Sequence, residues 1–272
     1  MLKRTVVALI LVPLLFFVTL WAPKIVLTVF VAAFSAIAVN ELLYNTGLVR
    51  NPRMLLYTMI MAFLVPLWSH FGCPYPAALI GMLLFYVALF SELLLAKTKI
   101  PFAQAALCMA GGIVIPYLFA GLVRTMAMDT GRYFIMLPFV VAFLTDIGGY
   151  FVGVTLGKHK LCPIISPKKT VEGLVGGIVL AILGMVVYGL ILQLGFGFNV
   201  NYFVVVVYGV LGAMGGVMGD LSFSVIKRQT GIKDYGHLIP GHGGILDRFD
   251  SVIVVAPLIE ALLLFLPMAS KG

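Results

Sequence analysis

Long apolar runs follow one another along nearly the whole chain, near 5–22, 25–42, 54–70, 76–96, 102–123, 133–157, 173–194, 201–226 and 251–268. About 20 apolar residues in helical form cross the hydrocarbon layer of a bilayer, and a helix satisfies its own backbone polar groups where no water can. The expected fold is an all-α polytopic membrane protein of about nine transmembrane helices. Composition agrees, with 62% of the 272 residues hydrophobic and 10% charged, against about 45–50% and 25% in soluble domains. A secreted disulfide scaffold, a disordered tail, a separate basic nucleic-acid-binding domain and an enzyme site on a large soluble sheet are all excluded. Sites made by helices and short loops remain.

The run at 5–22 follows Lys3-Arg4, yet Leu20-Trp21-Ala22-Pro23 offers no small-x-small cleavage site and a second run follows at once, so an uncleaved first helix is expected. With a cytoplasmic N-terminus, alternation of the spans puts fourteen of the 18 Lys and Arg residues inside and leaves Lys24, Arg124, Arg132 and Lys271 outside. That bias follows the positive-inside rule. It explains the net charge of +8 by topology, and no nucleic-acid partner is expected. Two regions follow: residues 1–132 with about five spans, and a catalytic region, 133–272, with about four spans and two polar cytoplasmic loops, 158–172 and 227–250. Cys73, Cys108 and Cys162 show neither disulfide nor zinc spacing and read as small core residues. Gly149, Gly153 and Gly157 recur every four residues, as do Gly173 with Gly177 and Gly212 with Gly216. Such stripes let helix backbones approach closely in lipid.

Two aspartates, Asp146 and Asp220, fall inside apolar runs. An ionised aspartate at a helix centre costs roughly 2.5–3.5 kcal/mol on insertion scales, so it normally faces a partner, a cavity or an ion. Gly212, Gly216, Asp220, Ser224 and Lys227 follow at i+4 or i+3 and form one helical stripe. A structural ion pair of Asp220 with Lys227 or Arg228 is the bland alternative. Residues 220–250, however, also hold Lys233, Asp234, Asp247, Arg248 and Asp250, with His237 and His242, around a glycine-rich stretch ending in Gly243-Gly244. Glycines there permit sharp turns whose amides can cradle phosphate. Asp247 and Asp250 share one face at the start of the last helix. Hard divalent cations prefer oxygen, and Mg²⁺ is usually held by one or two carboxylates with phosphates and water. The expected cofactor is Mg²⁺, or another divalent cation, on Asp220 and Asp247 with Asp250 close by. Lys227, Arg228, Lys233 and Arg248 suit phosphate charge.

The other polar loop carries Gly157-Lys158-His159-Lys160 and then Ser166-Pro167-Lys168-Lys169-Thr170-Val171-Glu172-Gly173. Its lysines and a helix start at its end can bind phosphate, although topology-setting lysines remain an alternative. No P-loop and no G-x-G-x-x-G occurs. His159 reads as an interfacial aromatic, and Pro116 and Pro138 are expected to bend their spans.

Taken together, Ser224-x-x-Lys227-Arg228, four residues, and Lys233-Asp234-x-Gly236-x-x-Ile239-Pro240-x-His242-Gly243-Gly244-x-x-Asp247-Arg248-x-Asp250 resemble the signature of the phosphatidate cytidylyltransferases, also called CDP-diacylglycerol synthases. The segment from Asp146 to Tyr150, with Gly153, Gly157 to Lys160 and Ser166 to Gly173, is similar to that family's other shared segment. The resemblance covers about residues 146–250. It implies transfer of a cytidylyl group from CTP to phosphatidic acid, with release of pyrophosphate, at the cytoplasmic face of a bacterial plasma membrane. It also implies catalytic roles for Asp220, Asp247, Lys227, Arg228, Ser224, His242 and Asp250. Lys168, Lys169, Lys233, Arg248, Asp146 and Ser166 are the expected substrate-binding set. A homodimer is plausible through the glycine-rich faces. A membrane lipid or polyprenol kinase and a cation-coupled transporter are the competing readings.

Overall fold

The computed structural model describes residues 13–96, 99–238 and 243–271. The chain forms two compact units, Met1–Asp129 with Lys227–Phe249, and Thr130–Ile226 with Asp250–Gly272.

In the first unit, α1 (Lys24–Asn40) runs into a wider π-type turn, Glu41–Asn45, and is followed by α2 (Pro52–Phe71) and α3 (Tyr75–Leu95). The Asn51 side chain accepts from the amides of Arg53 and Met54 and starts α2, and Gly72, at φ 60°, ends it in the left-handed conformation that glycine adopts without a Cβ clash. The run expected over 102–123 is broken into α4 (Phe102–Met109), a second π-type turn (Ala110–Val114), α5 (Ile115–Phe119) and α6 (Gly121–Ala127). Pro116 stands at the start of α5, where its missing N–H needs no helical partner. Leu27, Val31, Leu43, Met54, Leu89 and Leu122 are buried, and the rings of Phe34 and Phe119 meet Phe249 with centroids at 5.3 and 5.6 Å. Leu79, Leu83, Leu84, Val87 and Leu94 on α3 are exposed. An apolar helix face of that kind is suited to lipid.

The second unit starts with α7 (Gly131–Phe134) and α8 (Leu137–Thr155), with Pro138 in the first turn of α8 and the break ahead of it. Then come β1 (Lys160–Cys162) and β2 (Ser166–Thr170), paired antiparallel with Lys160 opposite Thr170. Next is α9 (Val171–Phe196), which Thr170 caps by accepting from the Gly173 amide at 3.0 Å. β3 (Phe198–Val200) pairs with β4 (Ala269–Lys271), and between them lie α10 (Tyr202–Gln229) and α11 (Leu246–Phe265). The glycine stripes of the sequence lie at helix crossings. A Cβ on Gly177 would stand 2.7 Å from the Thr145 carbonyl oxygen, one on Gly173 2.7 Å from that of Gly149, and one on Gly212 2.7 Å from Val141. Small residues thus let α8 pack backbone to backbone against α9.

Several expectations need correction. The protein is mostly helical, as expected, with two short antiparallel strand pairs, β1–β2 and β3–β4, in polar or terminal segments where strands escape a hydropathy scan. The expected loop 158–172 is largely the β1–β2 pair. The expected loop 227–250 is shorter, since α10 continues to Gln229 and α11 already starts at Leu246. Among the described residues seven stretches are long and apolar enough to cross a membrane: Lys24–Asn45, Pro52–Phe71, Tyr75–Leu95, Phe102–Ala127, Gly131–Thr155, Val171–Phe196 and Tyr202–Gln229. Of the other two expected runs, 5–22 lies partly outside the described residues, with 13–20 helical. The last lies on α11, which is 20 residues long but carries Asp247, Arg248, Asp250 and Glu260. All three cysteines are free thiols, and only Cys108 is buried, so Cys73 and Cys162 are not core residues.

Candidate functional site

In the second unit, α8, the β1–β2 pair, α9 and α10 border an open cavity of about 200 Å³ lined by Asp146, Tyr150, Lys168, Lys169 and Val217 among others. Lys168 and Lys169, neighbours on β2, both line this cavity. β2 is held by its pairing with β1 and by Thr170 at its end, which caps α9 and packs against Gly153. Lys168 is exposed and Lys169 half-buried. Lys169 Nζ makes an ion pair with Asp220 Oδ2, one turn beyond Val217 on α10. The other carboxylate oxygen, Asp220 Oδ1, accepts a hydrogen bond from the Ser224 hydroxyl at 3.3 Å. The i, i+4 spacing of Asp220 and Ser224 is thus realised as a contact, while the bland alternative of an Asp220 pair with Lys227 or Arg228 gives way to Lys169.

Next to Asp220, Gly219 packs against the start of α11. A Cβ there would stand 2.7 Å from the Asp250 carbonyl oxygen and 3.1 Å from Ser251 Cα. The chain segments bearing Asp220 and Asp250 therefore touch, and Asp250 is buried with its Oδ1 accepting from the Ser251 amide at 2.7 Å. Glu172, in the first turn of α9, accepts from the amides of Lys158 at 3.1 Å and His159 at 3.2 Å and pairs with His159 Nδ1 at 2.6 Å. His159 is a fastener of the segment that enters β1.

In the first unit, Lys227 Nζ lies 3.0 Å from Asp247 Oδ1 and 5.3 Å from the centroid of the buried Tyr235 ring. Asp247 Oδ2 accepts from the amides of Tyr235 at 2.8 Å and Gly244 at 3.0 Å. Gly243, at φ 85°, supplies the left-handed turn that brings the Gly244 amide back to this carboxylate. Asp247 therefore ties together the end of α10, the segment after it and the start of α11. Arg228, Lys233 and Arg248 are exposed, Ser166 is half-buried, and His242 lies outside the described residues.

The sequence reading missed Glu41. This carboxylate, 3% exposed, accepts from the Ile245 amide at 3.1 Å and the Leu246 amide at 2.8 Å. Its signal in the sequence is an acid at the end of an apolar run, the same kind of feature as Asp146 and Asp220. Among the described residues no group of three or more His, Cys, Asp or Glu side chains is arranged to hold a metal ion.

Asp146, Lys168 and Lys169 line one cavity, with Asp220 paired to Lys169, and such a set of charges is suited to phosphate. In keeping with it, the profile of the cytidylyltransferase family matches residues 2–266, and the chain belongs to that family. It is 40% identical over 176 residues to the phosphatidate cytidylyltransferase of Staphylococcus saprophyticus subsp. saprophyticus, and 38% identical over 180 residues to that of Staphylococcus haemolyticus. Each of those matches spans 65% of this chain and 65% of the relative's own length. The phosphatidate cytidylyltransferase of Staphylococcus epidermidis is 38% identical over 184 residues, 68% of each chain.

Proposed function

We propose that the protein is an integral membrane phosphatidate cytidylyltransferase that transfers CMP from CTP to phosphatidic acid, giving CDP-diacylglycerol and pyrophosphate. The observation that carries this reading is a cavity between apolar helices lined by Asp146, Lys168 and Lys169, with Asp220 paired to Lys169 beside it. A polyanion from the aqueous side and a lipid from the bilayer need such a place, cationic at its mouth and bounded by helices that lipid can reach. The fourteen-to-four bias of basic residues supports a cytoplasmic orientation, and the bacterial relatives support a plasma-membrane location. The glycine-rich faces leave a homodimer open to test.

In the transfer, a phosphatidate oxygen forms a bond to the α-phosphorus of CTP as the bond from that phosphorus to the α,β-bridging oxygen breaks. The bridging oxygen leaves with pyrophosphate. A phosphate monoester is already largely ionised near neutral pH, so no strong general base is required and no covalent enzyme intermediate is invoked. Positioning and charge neutralisation then supply most of the rate. Lys169 would exchange the Asp220 carboxylate for a phosphate oxygen, and Lys168, free of burial, would reach the lipid headgroup or the leaving pyrophosphate. Lys227, Arg228, Lys233 and Arg248 are assigned to the nucleotide phosphates. Ser224 orients Asp220, Ser166 and His242 are assigned to hydrogen bonding with phosphate, and Asp146, which lines the same cavity as the lysines of β2, is assigned to holding a lysine in place.

The donor chemistry fits a hard cation, because Asp220 presents only oxygen, fixed by Ser224, and the Gly219 contact brings the Asp250 segment against the same turn. Asp220 and Asp250 would hold Mg²⁺, and the ion when bound would supply further neutralisation of the triphosphate. The test is a panel of nucleoside triphosphates incubated with purified protein and phosphatidic acid. The reading expects pyrophosphate with CTP, and nucleoside diphosphate in its place would replace it with a lipid kinase.

A further inference from the structure

Glu41 sits at the end of the first long described helix and reaches a stretch of chain 204 and 205 residues downstream, the amides of Ile245 and Leu246. These are the amides that open α11, and no turn of α11 itself supplies them with acceptors. The carboxylate is buried and both its oxygens are used. A negative group there also opposes the positive end of the helix dipole. Two glycines leave it room. A Cβ on Gly236 or on Gly244 would run into the Glu41 carboxylate, so those two positions are shaped around this side chain. Glu41 also opens the π-type turn Glu41–Asn45, whose last residue donates from Asn45 Nδ2 to the Tyr235 carbonyl oxygen at 2.6 Å. The α1 terminus thus fastens both ends of the segment 235–246, with Glu41 at the helix start and Asn45 at Tyr235.

That segment ends in the turn carrying Asp247 and Arg248, and Asp247 takes the neighbouring Gly244 amide. From these contacts we infer that Glu41 is a positioning residue for cytidylyl transfer, fixing the first turn of α11 so that Asp247 and Arg248 are presented in register. The inference rests on the cytidylyltransferase reading of the site. Glu41 touches no substrate and acts through the backbone of 245–246. A carboxylate with two fixed amide donors does this better than any neutral group of the same length, because an amide side chain turns its own N–H₂ toward one of the two donors.

The test compares wild type, Glu41→Gln, Glu41→Ala, Gly244→Ala and the double variant Glu41→Ala/Gly244→Ala. Steady-state kinetics with CTP and phosphatidic acid are combined with hydrogen exchange over residues 243–251. Glu41→Gln is expected to lower kcat by roughly 10²-fold, the scale of a small misplacement of catalytic groups, with KM for phosphatidic acid within about threefold of wild type and faster exchange in 243–251. Gly244→Ala is expected to reproduce the kcat loss, and to add little in the Glu41→Ala background, where the carboxylate is gone. Unchanged exchange in Glu41→Gln overturns the inference whether or not the protein turns over. So does an unchanged kcat in an active protein, or full multiplication of the two single-variant losses. Wild-type protein that never forms CDP-diacylglycerol overturns the functional reading separately, and the exchange comparison still decides the role of Glu41 at the helix start.

Discussion

Lys227 Nζ and Asp247 Oδ1 are 3.0 Å apart, with side-chain exposures of 11% and 4%. A pair this dry behaves differently from a surface salt bridge: forming it costs desolvation of both charges, and removal of one member leaves a buried charge without its counter-ion. Lys227→Met is expected to destabilise the protein by about 3–5 kcal/mol. Asp247→Asn is expected to cost at least as much, because Asp247 Oδ2 also serves the amides of Tyr235 and Gly244. Thermal unfolding in detergent reads both, and the double variant should lose clearly less than the sum.

Asp220 stands apart from Asp247 in being a quarter exposed and paired with Lys169 beside the cavity. Asp220→Asn is expected to lower turnover by 10²-fold or more, about the loss seen when a preorganised charge-stabilising group is removed, while insertion and melting temperature stay close to wild type. A kinetic comparison of detergent-purified proteins checks this, and near wild-type turnover in the variant contradicts the role given to Asp220.

Thr170 ends β2 and caps α9 through the Gly173 amide. Thr170→Ala should cost about 1 kcal/mol, the usual loss for an N-cap. Thr170→Ser keeps the hydroxyl and should recover most of it in the same unfolding assay.

Helix contact between α8 and α9 depends on glycine where backbones meet. Gly177→Val places a branched side chain against the Thr145 carbonyl oxygen, which even a Cβ would approach to 2.7 Å. Both stability and turnover should fall, because the cavity wall that holds Asp146 lies on α8. Gly195→Ala is the control. Its Cβ meets nothing within 4 Å, and the replacement should stabilise slightly, by about 0.5–1 kcal/mol, as glycine loses more freedom in a helix.

Hydropathy and spacing made much of this legible. The start of α9 after Thr170, the close approach at Gly173 and Gly177, and the Asp220–Ser224 contact all follow from patterns within a few turns of helix. The pairings do not. Lys169 meets Asp220 across 51 positions and Glu41 meets Leu246 across 205, and no periodicity in one dimension announces which buried acid meets which partner. The β1–β2 pair was hidden because its strands are three and five residues long, too short for alternation to show. The break in 102–123 escaped because a π-type turn leaves the apolar run unbroken.

The most direct measurement follows two labels in parallel, CTP labelled at the α-phosphorus and CTP labelled at the γ-phosphorus, with purified protein, phosphatidic acid and Mg²⁺. Cytidylyl transfer predicts that the α label enters the lipid and the γ label leaves as pyrophosphate. A γ label in the lipid, or no label in the lipid from either nucleotide with folded protein and ample phosphatidic acid, would contradict it.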